Sequence, residues 1–318
     1  MSSESMRVGF GRGLVYAGRV HEKVVALSAD LAESTQFSQF QEALPERYIE
    51  VGVAEQNLVT VASGLAHSSW KPYVASYAAF SPGRNWEQIR TTICINNRPV
   101  VIVGTHAGLN VGPDGATHQA LEDIALMRVL PNMTVIAPGD SVEAEQVAIA
   151  LAEYDAPAYV RLARDKTEQF LGDEPFVIGQ AKQLREGSDV ALVGTGAMTY
   201  QLLRAADLLA EQGVHATVLH VPTIKPLDES AILEVAKHCG RVVVAEEAQI
   251  AGGLGGAVAE LLAEKLPMPV RRIGVHDRYG QSGTASELLE FYGLAHDQIA
   301  EDIVEFINTI PQYHQEDN

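Results

Sequence analysis

A glycine-rich segment, residues 106–119, carries the side chains with the clearest capacity for chemistry. His106 and His118 lie twelve residues apart in it, with Asp114 between them. The segment follows a β-branched run, 100–103, that is typical of a strand buried on both faces. It should therefore lie at the carboxyl end of a sheet, where α/β proteins bind ligands. These imidazoles could move protons, but an ordinary loop with incidental histidines would look alike, and the spacing matches no zinc pattern.

Glu55 is the second candidate for a chemical role. It precedes a run of small apolar residues that predicts a helix over about 55–66. A carboxylate buried against such a helix would need a partner. The alternative is a solvated glutamate that the helix dipole stabilises in the first turn. The neighbouring residues leave both interpretations open.

Two further glycine-rich turns each follow a predicted strand and precede a predicted helix. Gly194-Thr195-Gly196 could place a phosphate at a helix N-terminus, but Thr199 stands where G-x-G-x-x-G requires a third glycine. We therefore interpret it as a tight turn. The second, 252–256, lacks the lysine of a P-loop. We expect it to pack closely against a neighbouring domain or chain.

Short apolar segments alternate with helical ones along the chain, as in parallel α/β folds. The predicted strands are 24–27, 72–75, 100–104, 134–137, 158–162, 189–193, 215–221, 241–245 and 269–273. We predict two α/β domains, each a mostly parallel sheet with helices on both faces. The predicted division is a first domain 1–170, a linker 171–188 and a smaller second domain 189–318.

Composition narrows the class of protein further. The 318 residues include 23 Lys and Arg against 41 Asp and Glu, a formal net charge of −18. This acidity argues against binding of nucleic acid or of an anionic membrane surface. No apolar run is long enough to span a membrane, and no signal peptide is visible. Two cysteines far apart in sequence fit a reducing cytoplasm.

Four segments together resemble the transketolase family in order and spacing. They are 51–57 (Val-Gly-Val-Ala-Glu-Gln-Asn), 76–80, 112–119 and 130–133. The resemblance covers that family's pyrimidine-binding and C-terminal domains but no part of its diphosphate-binding domain, because no G-D-G precedes Asn96-Asn97. It implies the C-terminal subunit of a split, two-chain transketolase. An N-terminal subunit with the G-D-G and Asn-Asn motifs would complete it in an α2β2 assembly.

The resemblance also implies a cofactor, thiamine diphosphate, whose diphosphate and divalent metal (Mg or Ca) the partner subunit would mainly hold. Glu55 would hydrogen-bond the pyrimidine ring nitrogen and favour the imino tautomer, which removes the thiazolium C2 proton. The cofactor-binding residues would be Glu55, Tyr77, Phe80 and Asp30, and this chain would supply no metal ligand. A third family aromatic falls near Gly83, a departure for which Trp86 is a candidate replacement.

The activity that the resemblance implies is transfer of a two-carbon ketol group from a ketose phosphate to an aldose. His106 and His118 would flank the reacting carbons, and Asp114 would accept a hydrogen bond from a substrate hydroxyl. The phosphate end requires cations and hydroxyls. The matching positions are Arg7, Ser34 and Arg164.

Three other classes compete with this interpretation. A 1-deoxyxylulose-5-phosphate synthase shares most of these segments, but that family usually has an arginine where His106 stands. The β subunit of a 2-oxo acid dehydrogenase component has similar domains without the run Asp-Gly-Ala-Thr-His at 114–118. A dinucleotide-binding or scaffold protein would have to rely on the incomplete glycine motif at 194–196.

Overall fold

A computed structural model describes residues 2–310 and 312 of the chain. Its strands are β1 (Ser3–Ser5), β2 (Val24–Ser28), β3 (Tyr48–Glu50), β4 (Lys71–Tyr77), β5 (Val101–Thr105), β6 (Thr134–Ile136), β7 (Ala158–Arg161), β8 (Lys166–Glu168), β9 (Lys182–Arg185), β10 (Val190–Gly194), β11 (Ala216–His220), β12 (Thr223–Lys225), β13 (Val242–Gln249) and β14 (Val270–Val275). Its α-helices are α1 (Met6–Val20), α2 (Ala32–Thr35), α3 (Ser38–Ala43), α4 (Glu55–His67), α5 (Trp86–Gln88), α6 (Asp123–Arg128), α7 (Ser141–Ala150), α8 (Met198–Glu211), α9 (Glu229–Cys239), α10 (Leu254–Lys265), α11 (Ala285–Phe291) and α12 (His296–Thr309). Each predicted strand coincides with an observed one.

The first sheet has seven strands in the order β12-β6-β7-β5-β4-β2-β3, and all its pairs are parallel except β12 with β6. Successive residues of a strand point to opposite faces. Val24 and Ala26 pack against α1 and α7, whereas Val25 and Leu27 pack against α4. The side chains on each face are apolar and pack against helices. Helices therefore cover both faces of the sheet, as predicted.

The second sheet has five strands in the order β14-β13-β10-β11-β9, and only the β9–β11 pair is antiparallel. The apolar sides of α8 and α12 cover one face, and those of α9 and α10 cover the other. The predicted class, two α/β domains with mostly parallel sheets, is confirmed. Residues 171–188 are not wholly a linker, however, because β9 lies inside that range and is hydrogen-bonded to the second sheet.

Buried polar contacts tie the two halves together. Arg161 Nε lies 3.0 Å from Asp123 Oδ2, and Arg161 Nη2 donates to the carbonyl oxygen of Glu247 in the second half at 2.8 Å. Glu143 Oε2 lies 2.7 Å from Nε2 of His220, also across the junction. All five side chains are buried. The two halves are therefore joined by buried polar groups, which would lose their partners if the halves separated.

Both glycine-rich turns of the second half lie against the first. Gly196 has a φ of +58°, and its N–H donates to Ala137 O at 3.1 Å. At Gly252, with a φ of +82°, an added Cβ would lie 2.8 Å from Ala125 Cβ. The close packing predicted for 252–256 is confirmed, and 194–196 serves as a turn at the same junction. Among the residues that the structure describes, we find no helix with both the length and the apolar character that a membrane crossing requires.

Alanine substitutions at two glycines should change the stability of the chain in opposite directions. An added Cβ on Gly9 of α1 would lie 1.9 Å from Ser141 O of α7, whereas at exposed Gly64 of α4 nothing lies within 4 Å. Gly9→Ala should lower the free energy of unfolding by about 1–3 kcal/mol through overpacking. Gly64→Ala, the matched control, should raise it by about 0.5–1 kcal/mol. Urea denaturation of the purified chain measures both, and equal effects would contradict the close α1–α7 contact.

Candidate active site

The candidate residues collect at the carboxyl edge of the first sheet. Tyr77 is the last residue of β4, and His106 directly follows β5. Asp30 follows β2 by two residues, and Arg164 follows β7 by three. Because these four strands are parallel, their carboxyl ends lie along one edge, where α/β sheets bind ligands.

Four rings form a cluster at that edge, which we call the aromatic cluster: Tyr77, Phe80, His106 and His118. Tyr77 is stacked on Phe80 with a centroid distance of 5.8 Å and on His106 at 3.8 Å. His118 meets Phe80 edge to face at 5.4 Å and Tyr77 at 6.2 Å. The structure thus brings both predicted histidines onto the predicted aromatic pair, although they are twelve residues apart in the chain.

His106 is a buried imidazole held in a cationic environment. Its backbone is left-handed, with a φ of +54°, which strains a residue that has a Cβ. Its Nδ1 lies 3.0 Å from Thr105 Oγ1, and its Nε2 lies 3.4 Å from Arg7 Nη1. Burial first, and then Arg7, Arg164 and His118, lower the pKa of His106 to about 3. The ring is therefore neutral at physiological pH and can accept or donate a hydrogen bond.

Arg7 and Arg164 form a cationic end to the site. Arg7 Nη1 donates to Ser34 O at 2.5 Å, and its Nη2 donates to Arg164 O at 2.6 Å. Arg164 Nη1 donates in turn to Val111 O at 3.0 Å. Burial and the charge of Arg164 lower the pKa of Arg7. Both guanidinium groups are held by carbonyl oxygens, so their charge remains available to an anion.

Glu55 lies at the opposite end of the site. It is the first residue of α4 and only 2 % exposed, so of the two interpretations left open by the sequence, the solvated glutamate is wrong. Its Oε2 accepts a hydrogen bond from Arg84 Nη1 at 2.8 Å. The buried Asn85 side chain donates to the carbonyl oxygen of Glu55 at 2.8 Å, which fixes the start of α4 to the 81–85 turn.

Arg84 connects Glu55 to the aromatic cluster, and sequence reasoning did not single it out. Its guanidinium carbon lies 4.8 Å from the centroid of the Phe80 ring while the same group pairs with Glu55. The available signal was a cation four residues after Phe80, next to the position where the family aromatic is missing.

The structure corrects the expectation for Trp86. Its indole N–H donates to Leu126 O at 2.8 Å, and its ring packs on the apolar core. It therefore does not replace the missing aromatic. Gly83 also cannot be changed to a larger residue without a backbone shift, because an added Cβ would lie 2.2 Å from Ala79 O.

Two predicted residues stand apart from the cluster. Asp30 has a φ of +60° and an exposed side chain, and its backbone N–H donates to Glu50 Oε1 at 2.8 Å. Asp114 is exposed at the end of the 3₁₀ helix Leu109–Asp114. Over residues 2–310 and 312, the hydrogen bonds do not join either side chain to the aromatic cluster.

The carboxyl of Glu55 and the ring of Phe80 fit an aminopyrimidine ring. Glu55 and Phe80 together hold the planar guanidinium of Arg84, which donates N–H to the carboxylate and lies over the ring. A nitrogen heterocycle needs the same two contacts, a buried carboxyl in its plane and an aromatic face beside it. Among the described residues, no group of three or more His, Cys, Asp or Glu could hold a metal ion.

A carboxylate, aromatic rings and imidazoles at the carboxyl edge of a doubly covered parallel sheet define an α/β enzyme-type site. Residues 3–169 match the family model described as transketolase, pyrimidine binding domain, and residues 179–299 match that of the transketolase C-terminal domain. The chain therefore belongs to the transketolase family, a transferase family whose members are thiamine diphosphate enzymes.

Three curated relatives show how the chain compares with known proteins. It is 44 % identical to a Methanocaldococcus jannaschii protein provisionally named a transketolase C-terminal section, covering 95 % of this chain and 96 % of that one. It is 40 % identical to a Clostridium sp. 6-deoxy-6-sulfo-D-fructose transketolase subunit, covering 87 % of each. It is 42 % identical to the Thermomicrobium roseum 1-deoxy-D-xylulose-5-phosphate synthase, covering 94 % of this chain but 48 % of that enzyme.

A solved structure is similar over nearly the whole chain. It is described as a split-gene transketolase in an inactive β4 tetramer. The TM-score is 0.90 at 41 % identity, and the match covers 96 % of this chain and 98 % of the other.

The environment of His106 predicts its titration. Arg7→Met removes a positive charge beside the ring, so the pKa of His106 should rise from about 3 but stay below 6.5, since burial is the largest cause. Arg19→Met, at an exposed position of α1, should leave it unchanged. NMR titration of the histidine signals measures the pKa of His106 in the unaltered chain, in Arg7→Met and in Arg19→Met.

The pKa of His106 is lower in the native than in the unfolded chain. The stability that this group contributes should therefore fall as the pH drops from about 6.5 towards 3. A His106 signal that titrates near 6.5 in the unaltered chain would contradict this environment.

Proposed function

We propose that this chain is the pyrimidine-binding and C-terminal component of a two-subunit transketolase. The complete enzyme transfers a two-carbon ketol group from a ketose phosphate to an aldose acceptor. The observation that carries the proposal is the aromatic cluster with a buried carboxylate at one end and two arginines at the other. In this proposal three sites lie in order along one edge of the sheet. The first binds the cofactor ring, the second transfers protons and the third binds an oxyanion.

At the cofactor end, Glu55 holds the pyrimidine ring nitrogen, Phe80 and Tyr77 support the ring, and Asp30 borders the site. Thiamine diphosphate, when bound, supplies a thiazolium carbon that can act as a nucleophile. Glu55 stabilises the tautomer of the ring that can take a proton, because a carboxyl in an apolar site can share its proton with a ring nitrogen. The diphosphate and its divalent metal, Mg or Ca, are held mainly by the partner subunit.

At the substrate end, His106 and His118 exchange protons with the sugar hydroxyls, and Asp114 accepts a hydrogen bond from one of them. His106 suits this role because its neutral ring has both a donor and an acceptor nitrogen. Arg7 and Arg164, with Ser34, bind the terminal oxyanion. Phosphate is the proposed group, and the sulfo-sugar named for the Clostridium relative favours sulfonate as a second candidate.

The partner is an N-terminal transketolase subunit that carries the G-D-G and Asn-Asn motifs, in an α2β2 assembly in the cytoplasm. Two matches support a separate subunit, since the chain covers 96 % of the Methanocaldococcus section and 98 % of the split-gene structure. Val53, two residues before α4 and 72 % exposed, is one proposed contact. The proposed first domain remains 1–170, and the second, predicted as 189–318, also takes in β9.

A 1-deoxyxylulose-5-phosphate synthase activity is the second candidate, favoured by the 42 % identity to that enzyme. The residue that argues against it is His106, because that family usually has arginine there. An arginine at 106 would add a third cation beside Arg7 and Arg164, an arrangement more suited to a carboxylate such as that of pyruvate. The neutral imidazole suits a hydroxyl.

Reconstitution tests the proposal. The chain alone should bind thiamine diphosphate weakly and show no turnover, because half of the cofactor site is missing. With the partner subunit and Mg²⁺ it should transfer ketol groups between phosphosugars, as measured by coupled sugar assays, and should not condense pyruvate with an aldose phosphate. Turnover by the chain alone would refute the split-subunit proposal, and pyruvate condensation would favour the second candidate.

Glu55→Gln tests the cofactor end. Gln keeps the shape but cannot share a proton, so exchange of the cofactor C2 proton in the reconstituted enzyme should slow by about 10²-fold or more. Glu211→Gln, at an exposed position of α8, should have no effect. Hydrogen–deuterium exchange followed by NMR measures both, and an unchanged rate in Glu55→Gln would remove this residue from the mechanism.

A further inference from the structure

The side chain of Arg84 occupies an unusual position between a buried acid and an aromatic face. Its Nη1 donates to Glu55 Oε2 at 2.8 Å, and its guanidinium carbon lies 4.8 Å from the Phe80 ring centroid. Glu55 is 2 % exposed in its side chain, but Arg84 is 51 % exposed. The cation therefore approaches the buried acid from the solvent side.

The two contacts of Arg84 have the same chemistry as those proposed for the pyrimidine ring. A guanidinium group is planar, delocalised and an N–H donor, and it stacks on aromatic faces. A tautomerising aminopyrimidine is also planar and stacks, and its protonated ring nitrogen donates to a carboxylate. The oxygen that Arg84 occupies, Glu55 Oε2, and the side of the Phe80 ring that it covers cannot serve a pyrimidine ring at the same time.

We propose that Arg84 is a displaceable internal occupant of the pyrimidine site, and this inference rests on the proposed function. In the chain without cofactor it neutralises Glu55 and covers Phe80. Binding of the pyrimidine ring moves the side chain outwards to solvent, and Glu55 exchanges its ion pair for a proton shared with the ring nitrogen.

The backbone around Arg84 is fixed, so the motion is confined to the side chain. The Arg84 N–H donates to Phe80 O at 2.9 Å, and buried Asn85 binds both Glu55 O and Ser81 Oγ. Gly83 lies against Ala79 O, where no Cβ fits. A long, half-exposed side chain on a rigid turn can leave and return without disturbing α4.

The exchange also has a proton balance. Paired with Arg84, Glu55 is ionised; hydrogen-bonded to the ring nitrogen, it shares one proton. Binding to the unaltered chain above neutral pH therefore takes up a proton from solvent. An Arg84→Gln variant leaves a buried carboxylate without its cation, which favours the protonated form before any ligand arrives.

Calorimetric titration of the full chain tests the proposal, with two probes: thiamine diphosphate and its isolated aminopyrimidine, 4-amino-5-hydroxymethyl-2-methylpyrimidine. Arg84→Gln should bind both about fivefold more tightly than the unaltered chain, because no ion pair has to be broken. The affinity of Arg84→Lys for each probe should lie between those of the unaltered chain and of Arg84→Gln. An ammonium keeps the charge but lacks the planar group that can lie flat on the ring. Arg90→Gln, an exposed neighbour, should match the unaltered chain.

Titrations in phosphate and in Tris at pH 8 give the proton uptake, which should be smaller for Arg84→Gln. Weaker or equal binding by Arg84→Gln, or no binding by any variant at millimolar probe, would overturn the proposal. Tighter binding together with no ketol transfer after reconstitution would instead refute the proposed function and leave the role of Arg84 standing.

Discussion

A buried carboxylate at the start of α4 is the constraint on which the site depends. Removing an acid such as Glu55 from water is costly unless a cation or a donor meets it, and leaving a buried charge unpaired costs about 3–5 kcal/mol. The surrounding structure therefore has to deliver a partner at one defined place. The 81–85 turn does so by anchoring Asn85 to the same helix start, which brings Arg84 to the acid and over Phe80.

The rest of the edge follows from parallel strand order. Adjacent parallel strands end together, so Tyr77 and His106 meet because β4 and β5 are neighbours. Arg164 arrives with β7, on the other side of β5. Arg7 comes from α1 rather than a strand, and α1 is held by close contact of its glycines with α7. A gradient of charge results, with an acid at one end of the aromatic cluster and two cations at the other.

Local pattern was sufficient to predict the buried strands, but it left the burial of Glu55 open and did not indicate the partner of that acid. Runs such as 100–103 are apolar on both faces, so they predict a central strand wherever they occur. The short strands β9 and β12 carry no such pattern, because each is three or four residues long and lies at an edge. Arg84 also has no distinguishing neighbours in the sequence, since its role depends on a contact across 29 residues. Trp86 was the more conspicuous aromatic candidate, yet the turn directs its indole to Leu126.

The placement of β12 has a consequence for how such a chain can be divided or recombined. This strand follows the second sheet's β11 in sequence but completes the edge of the first sheet beside β6. A fragment cut near residue 175 would leave the β6 edge bare, and uncovered edges invite pairing between molecules. The two domains should therefore be transferred together when chimaeras are made. A first domain fused alone to an unrelated C-terminal domain would lack the edge strand β12 of its sheet.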